Sequence, residues 1–210
     1  YADTHEVSVN TTPESLDLQR TLRAMRTEQI DAAVMEVSSH GLELGRVQSC
    51  AFKVAAFTNL SQDHLDFHGS MDAYLDSKAR LFSDHLAPNA TAVVNIDDAS
   101  GEKIIGVARE AGASILRVGR GANATADLRL IDHKIRLEGT RATLEDSDGR
   151  FEVSLPLIGD FNLENLLVAA GIGRAMGIDH ETLAAGIAAC PQVPGRMERV
   201  LGTGENEPTV

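Results

Sequence analysis

Short apolar runs that alternate with helix-periodic segments constrain this chain more than any other feature. Asp31-Ala-Ala-Val-Met-Glu-Val37, Val54-Ala-Ala-Phe-Thr58, Ala92-Val-Val-Asn-Ile96 and Ser114-Ile-Leu-Arg-Val118 each have the length and composition of a strand buried on both faces. Between them lie stretches whose apolar residues recur at three- and four-residue spacing. Ser70 caps one of these, in which Met71, Tyr74, Leu75, Lys78, Leu81 and Phe82 share a stripe. Another helix is predicted from about residue 98 to 111. Asn10-Thr-Thr-Pro-Glu14 opens an earlier one, with Thr12 as cap, Pro13 at the first helical position and Glu14 at the positive end of the dipole. The alternation predicts an α/β fold, a doubly wound, mostly parallel sheet flanked by helices.

The pattern then shifts to period two. Asp127–Ile131, Lys134–Leu137, Arg141–Leu144 and Phe151–Leu155 alternate apolar and polar residues and are joined by turns such as Asp148-Gly149. These predict a small antiparallel side sheet at about 125–156. Past Pro156, Asn162 is placed to cap a helix running through Met176, with Asn165 near the same face and Gly177 as its stop. Asp179 starts a last helix to about Ala189, and Pro194-Gly195-Arg196 is a turn that presents an arginine.

A chain of 210 residues can bury a sizeable core, and a single domain over residues 1–200 accounts for it. A formal net charge of −12 argues against nucleic acid or an anionic membrane as partner, because both call for clustered Lys and Arg. Two cysteines without a pairing motif, no signal peptide and no long apolar run are the expectation for a reduced, cytoplasmic protein. Tyr1 in place of an initiator Met and a polar end from Leu201 to Val210 suggest a piece of a longer chain, with 201–210 starting a linker.

Chemistry concentrates between Asn59 and Lys78, just past the carboxyl end of the Val54–Thr58 run, where open α/β sheets hold their ligands. Asp63, His64, Asp66 and His68 place two carboxylates and two imidazoles within six positions, a set suited to a hard cation. Glu36 ends a neighbouring apolar run, and an acid there is costly unless something pairs with it. If those runs are adjacent strands, Glu36 and the Asp63/His64 cluster can share one cation. Lys78 on an apolar stripe either runs its stem along that stripe to water or serves as a reactive or modified amine. The hydroxyls near Thr12 either cap a helix or hold an anion. No Gly-x-x-x-x-Gly-Lys-Ser/Thr loop occurs in the 210 residues.

Taken together, Asn10-Thr-Thr-Pro-Glu14, Met35-Glu-Val-Ser-Ser-His-Gly-Leu42 with Arg46, Phe57-Thr-Asn-Leu60 with Asp63-His-Leu-Asp66, Tyr74 to Lys78, Gly159 to Asn165 and Gly195-Arg-Met-Glu198 resemble the Mur ligase family. The resemblance spans nearly the whole chain. It implies a P-loop NTPase-like central (ATPase) domain lacking its P-loop segment, within a three-domain cytoplasmic ligase of peptidoglycan precursor synthesis. The reaction implied uses ATP to phosphorylate the D-Glu carboxyl of UDP-MurNAc-L-Ala-D-Glu; the amine of meso-diaminopimelate or L-lysine then attacks the acyl phosphate. Glu36 and His64 match magnesium ligands, and Lys78 matches a lysine carried as a carbamate that also binds Mg2+; these three are the catalytic set. Asn10, Thr11, Thr12, Ser38 and Arg46 match the UDP-MurNAc-dipeptide site, and Asn165, Arg196 and Asn162 match ATP-contacting positions. Leu44 departs from the family pattern, which in some members has a glutamine there. Asp66 and His68 are expected to orient His64 or hold the turn. Two other readings stand beside this one: a sister ligase, such as another Mur step or folylpolyglutamate synthesis, and a non-catalytic module that binds a UDP-sugar or a metal.

Overall fold

The computed structural model describes residues 10–62, 65–121 and 125–192. Six strands form one sheet in the order β1-β2-β3-β4-β5-β6. β1 (Phe52–Phe57), β2 (Leu86–Asn95), β3 (Ser114–Arg120) and the start of β4 (Leu128–Arg136) run parallel, and β5 (Gly139–Asp146) and β6 (Gly149–Leu155) continue the sheet antiparallel. The predicted meander is therefore not a separate side sheet. Asp127–Ile131 and Lys134–Leu137, read as two strands, belong to the single strand β4, whose register shifts between Leu130 and Asp132. A bulge keeps one strand paired while breaking its alternation, which imitates a turn in sequence.

Helices cover both faces of the parallel part. α4 (Met71–Asp84) and α5 (Gly101–Glu110) bury Leu75, Phe82, Ile104 and Ile105 against Ala55, Phe57, Ala92 and Val94. α6 (Phe161–Ala175) sets Leu163, Leu167 and Ala170 against Val93, Val118 and the inner face of β4–β6, and α7 (His180–Ala188) adds Leu183. Ala92 and Val94 therefore face one layer while Val93 faces the other, as a two-sided strand requires. Gly171 allows α6 to come close, since a Cβ there would lie 2.7 Å from Val93 and 2.8 Å from Val118 side-chain carbons. A third, smaller core joins Leu18 of α1 (Ser15–Thr27) to Leu42 of α2 (Ser39–Glu43) and to Val47.

Two expectations are corrected. The apolar run Asp31–Val37 is not a buried strand: it carries no ladder hydrogen bonds among the described residues, and Val34 is 87% exposed. Glu36 thus does not end a strand next to β1. The first helix starts at Ser15 rather than after a Thr12 cap, with Glu14 at the cap position and no side-chain cap bond. Thr12 is instead fully buried and bonded elsewhere. By contrast, Ser70 caps α4 by accepting from the Ala73 amide, and Asp179 caps α7 by accepting from that of Thr182.

Candidate functional site

Two groups of polar residues gather around the carboxyl ends of the parallel strands. The first is built on the short helix α2. The Thr12 hydroxyl donates to the Glu36 carbonyl oxygen at 3.0 Å and accepts from the Ser38 amide at 2.9 Å. Ser38 in turn caps α2 by accepting from the Gly41 amide at 3.1 Å. Gly41 is required there, because a Cβ would stand 2.8 Å from a Thr12 methyl. Arg46 closes the group: Nη1 donates to the Thr12 carbonyl at 3.1 Å and Nη2 pairs with Glu14 at 2.7 Å, while its buried Nε has no acceptor among the described residues. Asn10 and Thr11 lie at the rim, Asn10 reaching Glu14 at 3.5 Å.

From α2 the network crosses to the segment after β1 and on to α4. Ser39 and Ser77 are both buried, and the Ser77 hydroxyl donates to the Ser39 carbonyl at 3.1 Å. His68 Nε2 lies 2.9 Å from the Ser39 hydroxyl, and the imidazole stacks on Tyr74 at 4.9 Å between centroids. Lys78 Nζ sits 4.9 Å from the Tyr74 ring centroid, a cation–π arrangement that answers how a lysine is tolerated on that stripe. His68 therefore bridges α2 and α4. Asp66 is exposed within the single helical turn α3 (Leu65–His68). Asp63 and His64 lie outside the described residues.

Glu36 carries a donor type that a hard cation can take. Its carboxylate is exposed and without an ion pair among the described residues, while its backbone oxygen is committed to Thr12. Uncommitted carboxylate oxygens are what Mg2+ takes.

The second group surrounds the start of α6. Asn162 is not the cap, a position taken by Asp160; it lies inside the first turn, 7% exposed, donating to the Ile158 carbonyl at 2.7 Å. Asn165 donates to the Asn162 side-chain oxygen at 3.2 Å. Arg120, at the end of β3, braces this turn through Asp160 at 2.7 Å and Glu164 at 3.4 Å. Its hydrogen bond to Asp160, only partly opposed by burial, raises the guanidinium pKa above its ordinary value. Arg196 lies outside the described residues.

Sequence reading passed over the residues that stand between the two groups. Asn95 ends β2, Asp97 and Asp98 follow it, and Arg120 ends β3; the available signal was a polar Asn-x-Asp-Asp at the end of a buried strand, at the sheet edge where ligands bind. A further cluster, Asp146, Asp148 and His180, brings its ligand atoms within 4.8 Å of one another where the β5–β6 turn meets the start of α7. Arg174 bonds both carboxylates there, so among the described residues this is an ion-pair corner rather than a metal centre.

A mixed α/β sheet with polar groups from several strand ends gathered at its carboxyl edge defines the class of open-sheet α/β domains, which take their ligands at that edge. Within that class the chain belongs to the Mur ligase middle domain family, whose model matches residues 2–173. It is 44% identical over 205 residues to the UDP-N-acetylmuramoyl-L-alanyl-D-glutamate--2,6-diaminopimelate ligase of Synechococcus elongatus, which covers 98% of this chain and 40% of that protein. The ligase of the same name from Gloeobacter violaceus is 42% identical over 94% of this chain and 39% of its own length. A solved structure of a ligase of that name superposes with a TM-score of 0.82 at 36% identity, over 90% of this chain and 38% of that one. The chain thus spans about 40% of the length of the curated relatives it matches. No described helix is long and apolar enough to cross a membrane.

Proposed function

We propose that this chain is most of the central domain of a MurE-type ligase, an ATP-dependent enzyme that adds a diamino acid to UDP-MurNAc-L-Ala-D-Glu in cytoplasmic peptidoglycan precursor synthesis. The observation that carries the reading is the set of contacts joining Thr12 to Ser38 and, from the next residue Ser39, through His68 and Tyr74 to Lys78, which ties Thr12 and Ser38, matched to the substrate site, to the lysine matched to the metal site. Identity to 2,6-diaminopimelate ligases over almost the whole chain supports meso-diaminopimelate over L-lysine as the amine.

The residues divide the work by their chemistry. Arg46, anchored by Thr12 and Glu14, keeps a buried Nε–H without acceptor among the described residues, suited to a carboxylate or phosphate oxygen of the substrate. Ser38 and Thr12 fix the turn beside it. Lys78 as a neutral amine forms an N–C bond to CO2 and releases a proton, leaving a carboxylate that, with Glu36 and His64, would hold magnesium. When bound there, Mg2+ would supply charge neutralisation for phosphoryl transfer from ATP to the D-Glu carboxyl. Asn162 and Asn165, with Arg196, are assigned to the nucleotide. The phosphate-cradling Gly-rich loop is not among these 210 residues, so the reading concerns the ligase that contains this chain.

The test is ADP release by that ligase with UDP-MurNAc-L-Ala-D-Glu, Mg2+ and either amine. Release that requires both the nucleotide-dipeptide and meso-diaminopimelate is expected; release that ignores either substrate would remove the proposal.

A further inference from the structure

One edge of the Arg46 guanidinium is only half used. Nε and Nη2 of an arginine form a fork that matches two oxygens of a single anion. Here Nη2 pairs with Glu14 Oε1 at 2.7 Å, while the buried Nε has no acceptor among the described residues. The same Oε1 accepts from Asn10 Nδ2 at 3.5 Å. Two side chains assigned to the substrate thus converge on a carboxylate of the chain itself. Of the pair, Arg46 is the fixed partner: its side chain is 13% exposed and its Nη1 is tied to the Thr12 carbonyl, whereas the Glu14 side chain is 59% exposed and can swing into water. Glu14 has no capping duty to hold it either, since it stands at the cap position of α1 without a side-chain cap bond.

We propose that Glu14 is an internal competitor for the substrate: its carboxylate stands where an oxyanion of UDP-MurNAc-L-Ala-D-Glu binds Arg46 and Asn10, and the substrate displaces it. The inference rests on the reading of Asn10 and Arg46 as substrate residues given above. The exchange is favourable because the incoming group can use Nη2 and Nε together, whereas Glu14 takes Nη2 alone and leaves a buried N–H unsatisfied. A ligand group that offers a single oxygen gains nothing over Glu14, so the competition selects for an oxyanion that fills the fork. An ion pair with one exposed partner is weak, and the competition therefore tunes affinity rather than closing the site.

The experiment uses the intact ligase and titration calorimetry without ATP, with UDP-MurNAc-L-Ala-D-Glu and UDP as probes. Glu14→Ala is expected to tighten binding of the nucleotide-dipeptide by up to about fivefold, the upper scale of one partly exposed ion pair, with Glu14→Gln between it and the wild type. Asp17→Asn, which removes a charge from the first turn of the same helix where it pairs only with exposed Arg20, controls for net charge and should leave affinity unchanged. Tightening shared by UDP assigns the oxyanion to the diphosphate, and tightening confined to the nucleotide-dipeptide assigns it to a carboxylate; either sustains the inference. Unchanged or weakened binding in Glu14→Ala, or tightening matched by Asp17→Asn, overturns it. Arg46→Gln separates this from the functional reading. Wild-type affinity in that variant removes the substrate role of Arg46 and the inference with it, whereas weakened binding there beside an unchanged Glu14→Ala removes the inference alone.

Discussion

One hydroxyl, that of Thr12, organises contacts 24 and 26 residues downstream by donating to the Glu36 carbonyl and accepting from the Ser38 amide. Thr12→Val keeps the shape and removes both bonds, which is expected to cost about 1–3 kcal/mol, read by denaturant unfolding. Gly41→Ala drives a methyl into the same side chain and is expected to cost a similar amount, about 1–3 kcal/mol. Were Gly41→Ala neutral, the close approach of α2 to Thr12 would not be what fixes this corner. At Lys78 the expected outcome is chemical rather than structural. Lys78→Ala abolishes ligation, excess bicarbonate does not restore it, and a small carboxylic acid partly does; full activity in the variant would eliminate the carbamate role. The importance of Thr12 was visible in sequence, its partner was not. A threonine before proline and glutamate reads as a helix cap because capping is a local rule, whereas the bond to Ser38 is a tertiary contact that no local spacing encodes.

Among the elements, α4, α5 and α7 lie close to where stripe and cap residues put them, because Ser70 and Asp179 act as true caps and the apolar spacing faces a sheet. The Asp31–Val37 run misled for a physical reason: apolar content makes a segment fit to be a strand, but only a hydrogen-bonded neighbour makes it one. The β5–β6 turn carries the prediction that belongs at this scale. Burial alone would raise the Asp146 pKa; hydrogen bonds from His180, the Asp148 amide and Arg174 outweigh it, and the folded pKa lies below the usual aspartate value. A carboxyl with a depressed folded pKa contributes stability above its unfolded pKa and loses it as pH falls through the folded one. Stability should therefore decline as pH drops from about 3.9, the ordinary aspartate value, toward that lower value. Asp146→Asn should lower the melting temperature at neutral pH and flatten this acid limb, as followed by thermal melts across pH. A limb of unchanged slope in the variant would assign it to other carboxylates.

At the scale of the whole molecule, the class of fold was legible because βα alternation and its change to period two are properties of the entire chain. What could not be read was that both halves share one sheet, since the shift between Leu130 and Asp132 looks like a strand break. Among the described residues β1 pairs with β2 alone, and the Asp31–Val37 run leaves Val34 almost wholly in solvent. An unpaired strand edge near exposed apolar residues favours self-association. The 210-residue chain should show concentration-dependent association in sedimentation velocity, reduced by Val34→Lys; equal behaviour of the two would clear this edge of the role.

The arrangement of α6 sets the order in which this molecule can complete itself during synthesis. Every strand pairs with the one made just before it, so the sheet can zip from β1 to β6 as the polypeptide lengthens. α6, however, covers β1, β2 and β3 yet emerges only after β6. Until then Val93 and Val118 are bare on one side, a sticky nascent state that closes when Gly171 lets the late helix settle onto them.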